Sequence, residues 1–134
     1  MPNIGVLVLL GSLRAQSVNR QLAELAADVA PEGVTLVHFD RLGELPFYNE
    51  DIDNHDVAES VKALRQVAAD ADAALVITPE YNGSIPGVLK NAIDWLSRTT
   101  PQPFAAKPIA MFGASGGPLG TARAQYHLRQ MMVF

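Results

Sequence analysis

Apolar residues follow two rhythms along this chain. Residues 4–10 (IGVLVLL) are apolar almost throughout, the pattern of a strand covered on both faces of a parallel sheet. Gly11 interrupts the run. Val18, Leu22, Leu25, Ala26 and Val29 then recur at helical spacing over 17–29, with Ser17 as N-cap and Pro31-Glu32-Gly33 as the stop. Residues 34–39 (VTLVHF) alternate like a strand. A long polar loop follows over 40–56, and loops of that length in a small domain are often functional. Val57, Val61, Leu64, Val67 and Ala68 mark a second helix over about 57–70. Residues 73–78 (AALVIT) read as a third strand. A helix from Pro86 to about Arg98 follows, then a Pro-containing connection over 99–107. A strand over 108–112, the turn GASGG and a helix over 119–133 complete the pattern.

The order βαβαβαβα predicts an α/β fold with a parallel, doubly wound sheet and right-handed crossovers. The 134 residues make one domain spanning 1–134, with no repeat or linker. Four strands make a small sheet of this type. The sequence stops inside the apolar stretch Met131–Phe134, so a fifth strand and helix are expected beyond it; the alternative is a short native chain.

Composition narrows the function. The hydrophobic fraction of 49% supplies a core, and 18% charged residues argue against disorder. A net charge of −4 disfavours non-specific nucleic-acid binding, which needs a basic surface. The absence of cysteine removes disulfides, thiolate nucleophiles and iron–sulfur ligation. The N-terminal apolar run is too short for a membrane span and lacks a signal peptide's basic start, which is compatible with a cytoplasmic protein. His38, His55 and His127 show no metal-ligand spacing, so no metal is expected.

In such sheets ligands bind outside the carboxyl ends of the strands. Three loops fall there. The first, Gly11 to Arg20 (GSLRAQSVNR), opens a helix whose free N–H groups suit an anion. Ser12 and Ser17 add hydroxyls, and Arg14 can pair with a phosphate in bidentate fashion. The loop has neither Gly-Lys-Ser/Thr nor GxGxxG, so a phosphomonoester fits better than a triphosphate or pyrophosphate. The plainer reading is a helix cap with a surface arginine. The second loop, Pro79 to Ser84 (PEYNGS), offers Tyr81 as an aromatic face, Asn82 as an amide and Gly83 for close backbone approach to a planar heterocycle. The plainer reading is a turn with a packed tyrosine. The third, Gly113 to Gly117, offers amides to ring carbonyls. Together they describe a mononucleotide site.

GSLRAQSVNR, PEYNGSIPGVLKNAIDW and GASGG, in this order and spacing, resemble the NADPH-dependent FMN reductase family of flavodoxin-like proteins, which includes quinone, azo-dye and chromate reductases. The resemblance covers essentially the whole chain, although family members run longer by a strand and a helix. It implies non-covalent FMN. The phosphate would contact Ser12, Arg14, Ser17 and Asn19. The isoalloxazine would lie against Pro79, Glu80, Tyr81 and Asn82, with Ser115 and Gly116 nearby. It implies NADPH or NADH as reductant, a ping-pong exchange with a small acceptor (flavin, quinone, azo compound or chromate), and a homodimer or homotetramer. The flavin carries the chemistry, so no catalytic side chain is assigned.

Two other classes compete. An FMN-binding electron carrier or redox sensor is disfavoured by Arg14 and the modest charge. GASGG also matches the G-x-S-x-G of serine hydrolases. Residues 116–134 hold no acid, however, and His127 lies twelve positions past Ser115, roughly 18 Å along a helix at about 1.5 Å per residue. Elsewhere Lys90 and Asp94 read as an i,i+4 helix pair worth a few tenths of a kcal/mol. Trp95 reads as core or subunit interface, and Asp51, Asp53 and Asp56 as a solvated loop face. Tyr48 could edge the flavin pocket or a partner subunit.

Overall fold

The computed structural model describes residues 2–133; Met1 and Phe134, the last residue of the terminal apolar stretch, lie outside them. Four parallel strands, β1 (Ile4–Leu10), β2 (Val34–His38), β3 (Ala73–Ile77) and β4 (Ile109–Phe112), form one sheet in the order β2-β1-β3-β4. That is the order of a flavodoxin-like sheet, and it reverses direction between β1 and β3. The helices are α1 (Val18–Asp28), α2 (Glu59–Asp70), α3 (Gly87–Leu96) and α4 (Ala122–Met131).

Alternation along the central strands divides the core. Leu7, Leu9, Ala74 and Val76 face the larger cluster, where Val61, Leu64, Leu89, Trp95 and Leu128 pack from α2, α3 and α4. Val8, Leu10, Leu75 and Ile77 face α1 alone, through Ala23, Leu22 and Ala26. Leu25 and Val29 therefore stay exposed. They border an apolar trough of about 360 Å³ that reaches Leu36 and Phe112 on the sheet.

Local chemistry sets the element ends. The Ser17 hydroxyl accepts from the Asn19 N–H (3.1 Å) and caps α1 as the sequence predicts. Pro86, expected as the first helical residue, is the N-cap of α3 instead. α4 is shorter than 119–133, because Gly117 to Thr121 form turns. The Lys107 ammonium donates to the carbonyls of Ala68 and Ala69 at the end of α2, where a cation is favoured.

The 40–56 loop is anchored. It contains short 3-10 turns at Leu42–Glu44 and Glu50–Ile52. The Trp95 indole N–H and the Asn91 amide both donate to the Pro46 carbonyl, at 2.7 and 2.9 Å. Asn91 also accepts from the Tyr48 N–H (2.8 Å). Tyr48 stacks edge-on against Trp95, which is fully buried. Asp53 departs from the expected solvated face: both its oxygens take Arg65 N–H groups at 2.8 Å, with the two side chains only 15% and 19% exposed. Asp51 and Asp56 are exposed as expected.

Candidate functional site

The three loops meet at the carboxyl edge of the sheet, and Thr78 is the knot that joins them. It follows β3, is fully buried, and donates its hydroxyl to the Pro79 carbonyl (2.7 Å). Gly11 and Gly113 flank it so closely that neither position admits a side chain. A Cβ at Gly11 would sit 2.8 Å from the Thr78 hydroxyl oxygen. One at Gly113 would fall well inside 3.0 Å of the Thr78 carbonyl oxygen and of Thr121. Glycine here serves approach of chain to chain.

The first loop is rich in uncommitted donors. Among the described residues, the N–H groups of Leu13, Ala15, Gln16 and Val18 have no hydrogen-bond acceptor. The Ser12 hydroxyl accepts from the Arg14 N–H (3.3 Å) and that of Ser17 from Asn19, which leaves both hydroxyl protons free to donate. Both serines are buried at the helix head. Arg14 is exposed and makes no ion pair among the described residues. N–H groups, hydroxyl protons and a free guanidinium around the positive end of a helix fit a dianionic phosphate.

Asn19 ties two of the loops together. Its side chain is buried, and both of its ends engage Ala114: the amide donates to the carbonyl (3.1 Å) and its oxygen accepts from the N–H (2.8 Å). It braces the first loop to the third.

The second loop is a tight hairpin turn. Tyr81 and Ser84 exchange both backbone bonds, at 2.9 and 3.1 Å, around Asn82 and Gly83 with φ of 53° and 72°. Two successive positive φ values mark a type I′ turn, which Asn-Gly favours. Gly83 is thus required by the turn rather than by a ligand. The Tyr81 ring is half exposed beside it, and Pro79 is partly exposed.

α4 holds this turn from outside. The Glu80 carboxylate accepts from the Ala124 N–H (2.9 Å) and lies 3.8 Å from the Arg123 Nε. It caps a helix whose own N-cap, Thr121, makes no cap bond. Glu80, which the family resemblance sets against the ring, makes both of these contacts through its carboxylate. One turn on, His127 Nδ1 and Ser84 Oγ are 2.9 Å apart. His127 therefore pairs with Ser84, not Ser115. The Ser115 oxygen accepts from the Gly117 N–H (3.1 Å), inside an exposed turn where Gly116 faces open space. No hydrolase arrangement forms around Ser115.

The two largest clefts, about 610 and 640 Å³, lie around residues 99–107 and include none of the three loops. The candidate site is an open crest suited to one face of a flat molecule. Among the described residues no group of three His, Asp or Glu is placed to hold a metal, and no helix is long and apolar enough to cross a membrane.

Residues 4–134 match the family model for NADPH-dependent FMN reductase. The chain belongs to that family. It is 49% identical over 132 residues to an NAD(P)H-dependent FMN reductase of Pseudomonas aeruginosa, covering 98% of this chain and 71% of that protein. A quinone reductase of Escherichia coli is 43% identical over 130 residues, 96% of this chain and 69% of the relative. The fold superimposes on the flavoenzyme NAD(P)H:(acceptor) oxidoreductase FerB from Paracoccus denitrificans with a TM-score of 0.88 at 40% identity, covering 96% of this chain and 71% of that one. Membership makes the protein an NAD(P)H-dependent oxidoreductase with FMN as its cofactor. Sequence reading found the three loops at the sheet edge. It missed Thr78, whose only signal is a polar residue closing an apolar strand, and the structural duties of Asn19 and Glu80.

Proposed function

We propose that the crest binds FMN with its phosphate in the first loop and its ring along the second and third, and that the acceptor is a small quinone-type molecule. The observation that carries this reading is the cluster of unsatisfied N–H groups, free hydroxyl protons and Arg14 at the head of α1. In it, Ser12, Ser17 and Arg14 hold the phosphate. Pro79, Tyr81 and Asn82 form the ring platform, with Ser115 and Gly116 at its far edge. Asn19 and Glu80 position the loops from behind. When bound, FMN would supply the two-electron redox chemistry between NAD(P)H and the acceptor. The chain contributes orientation: Thr78 fixes the loop origins, and the Asn82-Gly83 turn sets the pose of Tyr81. An open crest admits the nicotinamide and then the acceptor at the same face, which supports alternating occupancy. A homodimer or homotetramer is proposed on the family resemblance, with sedimentation as its check.

Reconstitution tests the reading. Protein mixed with FMN and desalted is expected to stay yellow, to bleach with NADPH or NADH and to regain colour with a quinone. Folded protein that emerges colourless from excess FMN would refute it. Protein that binds FMN but neither bleaches nor recolours would support a flavin carrier or sensor instead.

A further inference from the structure

Arg20 opposes the field of its own helix. It is the third residue of α1, where unpaired N–H groups already concentrate positive charge, and a cation there is unfavourable without a nearby anion. The first turn of α1 contains no acidic residue. Seven of the ten lysines and arginines touch a carboxylate, a backbone carbonyl or an aromatic ring. Among the described residues, Arg14, Arg20 and Arg129 do not, and two of these flank the phosphate loop. The Arg20 Nε is moreover fully buried and unpaired, the one such side-chain atom among the described residues.

The surroundings of that atom are specific. Arg20, Ser12 and Asp40 share a cavity of about 20 Å³ walled by Leu10 and Phe39. That is room for a single water, with Arg20, Ser12 and Asp40 beside it as polar partners.

We infer that Arg20 is a positioning cation of the phosphate seat, acting through Ser12 and one bridging water rather than by touching the ligand. The inference rests on the FMN reading above. The water accepts from the Arg20 Nε–H and donates to Asp40 and to the Ser12 oxygen. Ser12 already accepts from the Arg14 N–H. With both lone pairs engaged, its hydroxyl proton must point outward, where an anion is seated. Arg20 thereby orients the donor, with its own charge balanced in part by Asp40.

The test compares FMN with riboflavin, which lacks the phosphate, by flavin fluorescence titration of parent, Arg20→Met and Arg20→Lys, alongside thermal unfolding of each flavin-free protein. Arg20→Met is expected to weaken FMN about tenfold, the scale of one charge-assisted interaction. Riboflavin affinity should stay within about twofold, because no phosphate is present to feel the charge. Thermal unfolding of the flavin-free variant verifies that it is folded. Arg20→Lys, which keeps the charge but lacks the Nε donor, should fall between, and it serves alone if Arg20→Met does not fold. A parent that prefers FMN, with a variant that keeps the same preference or loses both ligands equally, overturns the role of Arg20 alone. A parent that binds FMN and riboflavin equally overturns the phosphate seat and the inference with it.

Discussion

Arg14 and Gly113 show how differently single residues can matter on one crest. Arg14 is exposed and makes no ion pair among the described residues. Replacing it with alanine should leave the unfolding midpoint of the flavin-free protein unchanged. FMN binding should weaken by about 1.5–3 kcal/mol, the worth of a charged hydrogen-bonded contact, in a fluorescence titration. Gly113 is the reverse case. A methyl group there meets the backbone of Thr78, which cannot yield as a flexible side chain could. Gly113→Ala should cost about 3 kcal/mol, the upper end for overpacking, read as a lower urea midpoint. Residues of the first kind were legible in the sequence, because helix-head serines and an arginine advertise their chemistry. Thr78 and Asn19 were not, since their partners lie far along the chain: Asn19 and Ala114 are 95 residues apart.

At the level of elements, periodicity located every strand and helix, and errors fell at the ends. Pro86 and the turns before α4 moved boundaries because capping and glycine geometry, rather than hydrophobic rhythm, decide where a helix begins. The 40–56 loop was legible as polar but not as anchored, because its ties run to α2 and α3. The Asp53–Arg65 pair is the clearest of these. Bonding to the Arg65 guanidinium holds the Asp53 carboxyl below its ordinary value of 3.8, against a smaller opposing effect of burial. A lowered folded-state value means the stabilisation is complete above the unfolded value and is lost as pH falls through the lower one. Asp53→Asn should therefore cost about 1–3 kcal/mol at pH 7. Urea unfolding at stepped pH should show the gap from the parent steady down to about pH 5 and closing below about pH 4.

For the molecule as a whole, the sheet is unevenly dressed. Among the described residues, three helices cover one face and α1 covers the other by itself, leaving Leu25, Val29 and the trough between them and Phe112 uncovered. The matched relatives are longer, this chain spanning 71% and 69% of two of them. Contiguous apolar surface of this kind binds hydrophobic probes in the native state. The folded protein is expected to brighten anilinonaphthalene sulfonate, and a Leu25→Glu, Val29→Glu double variant to lose most of that signal while keeping FMN. Unchanged dye binding would mean the trough is covered in solution. The fold class was readable from strand–helix alternation, whereas this imbalance was not, because it depends on which face each crossover takes.

The carboxamide of Asn19 reaches across the crest from the phosphate loop to the glycine-rich one, and in doing so it yokes the two ends of the site. A shift of either loop is therefore handed on to the other. The two loops settle, or loosen, as a unit.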